Sequence, residues 1–312
     1  MIRIGFFGTP SLAKKVLDDI CSSQNFEVVF VVSNPDKPFG RNQEMKASPV
    51  KELAIEKKIP IFTPSKIRGN TEFLETLRSF ECDYFIVVAY GRILPLELLK
   101  IPKKMCINIH GSILPKYRGA SPIQSALLFG EKITGVTIME MSEGMDEGDI
   151  LKIRKISIDR KETSETLFEK FSEISGPTLI DTLKELEHRG ITSLPQNSED
   201  ATYCKKIEKE DGLVDFSKSA ENIYHQWQAY TPWPGIYTNY QEKRLLLEEV
   251  SYESTSSDWP IGTVIKKESG PIGISCGKGI LLLEKIKLEG KKSQSIKDFI
   301  NGNPSFISSI LH

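Results

Sequence analysis

The sequence predicts an α/β chain of two domains: a mostly parallel sheet with helices on both faces, then a smaller antiparallel β-barrel. Three observations lead there. The chain has 312 residues, about twice the usual length of one domain, so two hydrophobic cores are expected. Residues 1 to about 188 alternate short apolar runs with helical patterns, as doubly covered strands and their crossover helices do. Beyond a polar, aperiodic stretch, strand-like runs recur between glycines and prolines, which suits a small barrel.

Strands are expected at Arg3–Phe7, Glu27–Val32, Tyr84–Val88, Met105–Ile109 and Gly135–Glu140, giving a Rossmann-like first domain. Ser11–Ile20 reads as a helix with Pro10 at its first helical position, and Pro49–Lys58 as another, capped by Ser48. From Thr163 to His188, Leu167, Phe171, Ile174, Leu179, Leu183 and Leu186 recur at helical spacing until Gly190 stops them. That long helix closes a first domain at 1–189. Residues 190–208 are polar and aperiodic and read as a linker. The second domain, 209–312, is expected to hold a helix near Ala220–Gln228 and a terminal helix at Ile296–Ile300. Its strands are expected at Gly235–Asn239, Leu245–Val250, Gly262–Lys266, Ile272–Cys276 and Ile280–Ile286, an OB-like barrel.

Composition excludes several classes of function. Lys and Arg number 41 against 42 Asp and Glu, a net charge of −1, so a nucleic-acid partner must be held by a local patch rather than by the whole molecule's field. An indiscriminate nucleic-acid binder is excluded. The longest apolar stretches, such as Phe26–Val32 and Tyr84–Tyr90, fall far below the roughly 20 residues a bilayer crossing needs. No membrane association is expected, and the opening residues MIRIGFFG read as a first strand of a cytoplasmic protein rather than a leader. Cys21, Cys82, Cys106, Cys204 and Cys276 are scattered singly, without the pairing of a zinc site or a disulfide framework. The first turn, Gly5-Phe6-Phe7-Gly8-Thr9-Pro10, lacks the third glycine of a dinucleotide loop, no GxxxxGK[ST] motif occurs, and no cluster has metal-ligand spacing. NAD, ATP and metal are therefore not expected.

The sharpest local signal is Asn108-Ile109-His110-Gly111-Ser112, where a central strand ends. Side chains alternate along a strand, so Asn108 and His110 share a face at the carboxyl edge, where open α/β sheets bind ligands. An amide can polarise a carbonyl, and an imidazole can accept and return a proton near neutral pH. A carboxylate to hold that imidazole is available in the acidic turn Ser142–Asp149, directly after the next strand, whose end is expected beside that of its neighbour. Local chemistry alone gives equal weight to a second reading, with His110 capping a turn and the acidic loop solvated.

The run Asn108 to Ile123, with Gly135-Val136-Thr137 and Gly144-Met145-Asp146-Glu147-Gly148-Asp149, resembles the formyltransferases that use 10-formyltetrahydrofolate. The likeness extends to Phe7-Gly8-Thr9-Pro10, Asn34–Pro38, Val88-Ala89-Tyr90-Gly91 and Pro232-Trp233-Pro234-Gly235. It implies that Asn108, His110 and Asp146 are the catalytic trio. Asn108, and His110 when protonated, would face the oxyanion, while Asp146 would orient and charge the imidazole. It also implies that Tyr90, Gly91, Arg92, Ile93 and Leu94, with Ser112, Ile113, Leu114 and Pro115, line a pocket for the 10-formyltetrahydrofolate co-substrate. Arg92 either pairs with the acidic tail of the folate or stays a solvated surface arginine.

The shared core does not choose the formyl acceptor, which in this family is a purine precursor, a nucleotide sugar or the aminoacyl end of initiator tRNA. About a hundred residues after the linker set the chain apart from the purine enzymes. Asn34–Ser48 carries Lys37, Arg41 and Lys46 and resembles an insertion loop that meets the tRNA acceptor stem; its glycine and polar residues predict disorder without RNA. Gly262–Lys297 holds eight lysines against three glutamates, a net +5 that suits phosphates but equally describes a solvated barrel face. The expected acceptor is therefore methionyl initiator tRNA, bound by a monomer. A nucleotide-sugar formyltransferase and a catalytically silent tRNA- or folate-binding protein are the alternatives. Asn42-Gln43-Glu44-Met45 departs from the glycine and basic residues usual in that loop.

Overall fold

The computed structural model describes residues 1–39, 44–255, 258–267 and 270–312. Its larger sheet runs, edge to edge, Ile150–Ser157, Ile133–Glu140, Met105–His110, Tyr84–Val88, Ile2–Gly8, Phe26–Val32 and Ile61–Phe62. The last five are parallel, and the first two are antiparallel additions at one edge. The expected α/β architecture holds. Every residue of Tyr84–Val88 is buried, as a central strand covered on both faces demands, which is why its sequence is apolar throughout.

Under this sheet Phe7, Phe30, Phe62, Phe80, Phe85 and Tyr90 form one aromatic cluster, mostly edge-to-face, with Phe7 and Tyr90 centroids 5.8 Å apart. Ile61–Phe62, Ile150–Ser157 and the helices Thr71–Ser79, Leu96–Leu99 and Pro122–Leu128 lay outside the sequence expectation. Pro10 proves to be the extended N-cap of Ser11–Cys21 rather than its first helical residue, with ψ near 178°. Ser48 caps Pro49–Glu56 as expected: its Oγ accepts from Lys51 N at 3.1 Å and lies 2.6 Å from the buried Ser33 hydroxyl. Ser48→Ala is expected to cost about 1 kcal/mol of stability, as N-cap losses do; urea unfolding that leaves the free energy unchanged would contradict this.

The chain divides into two compact units, one of Met1–Pro122, Ile133–Ser157 and Phe168–Lys205, the other of Ile123–Lys132, Ile158–Leu167 and Lys206–His312. The stretch read as a linker is not free. Leu194 bridges Ile150, Tyr203–Cys204 pairs in parallel with Arg118–Gly119, and the Ser193 hydroxyl donates to Asp149 Oδ2 at 2.9 Å.

In the second unit the sheet order is Ile236–Tyr240, Lys243–Glu253, Ile280–Leu288, Ile272–Ser275 and Val264–Lys266, with Gln294–Ser295 on Ile280–Leu288. Among the described residues the ladder does not close on itself. Its two edges are instead met by the final residues of the chain. Val264 N donates to Ser309 O, Leu311 N to Gly262 O, and Thr238 Oγ1 to His312 O, each at 2.9 Å. A half-barrel finished this way leaves less open edge for another strand to join. Among the described residues, no helix is long and apolar enough to cross a membrane.

Candidate active site

Asn108 and His110 leave one face of Met105–His110, as their spacing requires. The neighbouring strand is antiparallel, so its end does not lie beside theirs: Glu140 pairs with Ile107, and His110 pairs with Thr137. The acidic loop therefore starts near the beginning of Met105–His110 and doubles back along it. Gly148 permits the return, since a Cβ there would lie 1.9 Å from the Glu140 carbonyl. Asp146 has φ of +52°, a left-handed conformation tolerated by aspartate better than by most residues.

The loop brings the Asp146 carboxylate to three groups. Oδ2 accepts from the Gly119 amide at 2.8 Å and lies 3.5 Å from His110 Nδ1. Oδ1 lies 3.5 Å from the Asn108 amide nitrogen, a contact long enough to leave that amide available to another acceptor. His110 is 5% exposed, and its Nε2 is 2.9 Å from the Tyr117 carbonyl. A carbonyl only accepts, so Nε2 carries the proton and Nδ1 is the open acceptor. Burial pushes the imidazole pKa below its ordinary value and outweighs the Asp146 carboxylate and the Tyr117 carbonyl, which push it up. Burial therefore favours the neutral ring. The Asp146 carboxylate favours the charged ring, as expected of its charge, and burial opposes it.

The loops after the parallel strands meet at the same edge. Asn34 Nδ2 donates to the Tyr90 carbonyl at 2.7 Å and to Thr9 Oγ1 at 3.0 Å. Tyr90 and Leu94 are buried, Gly91 has φ of +75°, and Ile93 is 77% exposed. Tyr90 Oη is buried without a hydrogen-bond partner, as is Ser142 Oγ at the start of the acidic loop. Arg92 Nη1 donates to the carbonyls of Pro64 and Ser65 at 3.0 and 2.9 Å, so this Arg is committed to the backbone beside it. In the other segment expected to line a folate pocket, Ser112 is fully buried: its hydroxyl donates to Lys116 O at 2.5 Å and its carbonyl accepts from Thr137 Oγ1 at 2.6 Å. Its side chain holds the loop from within instead of lining a surface. Leu114 is buried against Met139 and Ile150, whereas Ile113 and Pro115 are half-exposed.

Of the expected tRNA contacts, Lys37 and Lys46 pair across a short hairpin of Lys37–Phe39 with Glu44–Lys46. Arg41 lies outside the described residues. In the basic stretch of the second unit, Lys267 pairs with Glu253 and Lys285 with Glu249, while Lys266, Lys278, Lys287, Lys291, Lys292 and Lys297 are exposed. Among the described residues no group of His, Cys, Asp or Glu could hold a metal ion.

Residues 2–183 match the model of the family described as formyl transferase, and residues 206–304 match that of its C-terminal domain. The chain belongs to the formyl transferase family. Relatives within the family include methionyl-tRNA formyltransferases of Caldicellulosiruptor saccharolyticus, 39% identical over 96% of both chains, and of Clostridioides difficile, 39% identical over 97% of both. A crystal structure of an N-formyltransferase from Helicobacter canadensis, in complex with folinic acid and dTDP-3-aminofucose, superposes with a TM-score of 0.67 at 19% identity. It covers 91% of this chain and 99% of its own. At that identity the likeness is one of fold.

Sequence reasoning missed two residues packed beside this candidate site. Arg118 is 2% exposed on the short strand Arg118–Gly119, and Gln196 lies in the stretch read as a linker. Gln196 Oε1 accepts from Arg118 Nε and Nη2 at 3.0 and 2.8 Å, while its Nε2 donates to the carbonyls of Asp146 and Gly148 at 2.9 and 2.7 Å.

Proposed function

We propose that this enzyme transfers the formyl group of 10-formyltetrahydrofolate to the α-amino group of methionyl initiator tRNA, giving N-formylmethionyl-tRNA. The observation that carries this reading is the convergence of Asn108, His110 and Asp146 at one sheet edge. A pteridine carrier fits the residues there, because the buried Tyr90 and Ser142 hydroxyls lack partners and Leu94 and Ile113 offer apolar wall. When bound, the co-substrate supplies an activated formyl carbon with N10 as leaving group.

The chain's residues divide the remaining work. The α-amine attacks the formyl carbon, a C–N bond forms, the bond to N10 breaks, and one proton passes from the amine to N10. Asn108 donates an N–H to the formyl oxygen as negative charge develops on it. His110 Nδ1, unprotonated at rest, takes the amine proton and returns it to N10. The imidazolium formed in between lies 3.5 Å from Asp146 Oδ2, which stabilises it, and Tyr117 O holds the ring in register. The methionyl ester lowers the α-amine pKa, so little deprotonation is demanded at neutral pH.

The full-length likeness to methionyl-tRNA formyltransferases favours tRNA over a nucleotide sugar as acceptor. We assign catalysis to residues 1–189, completed by the segment beyond them, and tRNA binding to 209–312 together with Lys37, Arg41 and Lys46. The enzyme is read as a cytoplasmic monomer. Incubation with 10-formyltetrahydrofolate and charged initiator tRNA, with charged elongator tRNA and an amino-sugar nucleotide as controls, tests the reading. Formylation of the sugar alone, or of nothing, defeats it. Arg41→Ala is expected to raise KM for tRNA several-fold and leave KM for the folate within twofold, since the loop is placed on the acceptor stem. Equal changes in both KM values would remove that loop from the tRNA interface.

A further inference from the structure

We infer that Gln196 is a positioning residue for formyl transfer, clamping the backbone that carries Asp146. The inference rests on the catalytic reading of Asp146 given above. Three observations carry it. First, both ends of the Gln196 amide are used: its nitrogen donates to Asp146 O and Gly148 O, and its oxygen accepts twice from Arg118. Such four-way use fixes the rotamer and leaves no other orientation of the amide that satisfies these groups. Second, Asp146 sits at positive φ, so its loop conformation costs energy and persists only where surroundings hold it. Third, Arg118 is buried with only neutral partners among the described residues, namely Gln196 Oε1 and, through Nη1, the Tyr203 hydroxyl at 3.3 Å. A buried guanidinium without a carboxylate is costly, so Arg118 holds Gln196 strongly.

The clamp is part of a longer strap. Arg118 N donates to Thr202 O and Tyr117 N to Thr202 Oγ1, each at 2.8 Å, and Ser121 Oγ to Lys205 O at 2.5 Å. Gly119, whose amide binds Asp146, lies so close to this strap that a Cβ there would come 2.2 Å from Cys204 O. Residues 193–205 thus tie the loop bearing His110's partner Tyr117 to the loop bearing Asp146. A clamp on backbone carbonyls sets where the carboxylate sits without touching substrate.

Two substitutions separate the ends of the clamp. Gln196→Glu keeps acceptors for Arg118 but turns carboxylate oxygens toward the Asp146 and Gly148 carbonyls. Gln196→Met removes both ends. Formylation of methionyl initiator tRNA by the full chain would be followed well below each variant's melting temperature, with Asp146→Asn as reference. Gln196→Glu is expected to lower kcat by about 10- to 100-fold, the usual scale for removing an outer partner of a catalytic group. KM for both substrates should stay within threefold, with a Tm no lower than that of Gln196→Met. Folded Gln196 variants with wild-type kcat beside an inactive Asp146→Asn would overturn the inference alone. So would a change confined to KM, or a loss of kcat matching the loss of folded protein. Wild-type kcat in Asp146→Asn would instead overturn the catalytic reading beneath it.

Discussion

Asn108→Ala is expected to lower kcat by about 10²–10³, the scale of losing one donor to a developing oxyanion, with the fold intact. Asn108 lies between Ile107 and Ile109 on a central strand, and its backbone register with Val87 and Met139 does not depend on the side chain. Among the described residues its side chain donates only the 3.5 Å contact to Asp146. Removing so weak a bond costs little in the resting protein. It also opens room for water beside the formyl oxygen, but water lacks the amide's fixed orientation. The loss should therefore fall on kcat, with KM for folate and tRNA changing less than threefold. Steady-state kinetics at saturating folate decides it. A variant within a few-fold of wild type would move the oxyanion donor elsewhere, and Asn108 would become a spacer for Asp146.

How far the sequence could be read depended on whether a feature is local. The 2.0 and 3.6 periods located the long strands of the sheet except Ile150–Ser157, and the i, i+2 spacing of Asn108 and His110 put them on one face. Direction is not local. The alternation in Ile133–Glu140 marks a strand without saying which way it runs, and this strand proved antiparallel. Asp146 still reached His110, because the loop doubles back and glycine at 148 permits the close approach. Ile61–Phe62 is two residues long, too short for any period to register. Gln196 is fifty residues from Asp146, in a stretch whose polar composition looks the same whether it is solvated or hydrogen-bonded. Arg118 could only be read as a loop cation, since nothing nearby in sequence announces that Tyr203–Cys204 will cover it.

His110→Asn is expected to lower kcat by about 10²–10⁴, the range attributable to a positioned general base, and to change how stability depends on pH. The sign follows from burial. In the folded chain the imidazole pKa lies below its ordinary 6.5 because desolvation exceeds the help from Asp146 and Tyr117. The unfolded chain has no such penalty and binds a proton on this ring as pH falls through about 6.5. Between that value and the lower folded pKa, the unfolded state holds more protons, so stability falls with acidification. The contribution is fully present above pH 7. Asparagine cannot titrate, so His110→Asn lacks this component, and urea midpoints measured from pH 7.5 to 5 should fall further in wild type than in the variant. Midpoints that fall less in wild type than in the variant would mean that the ring is held charged in the folded enzyme. In that case His110 could serve as a donor to the oxyanion but not as the acceptor of the amine proton, and another base would be required.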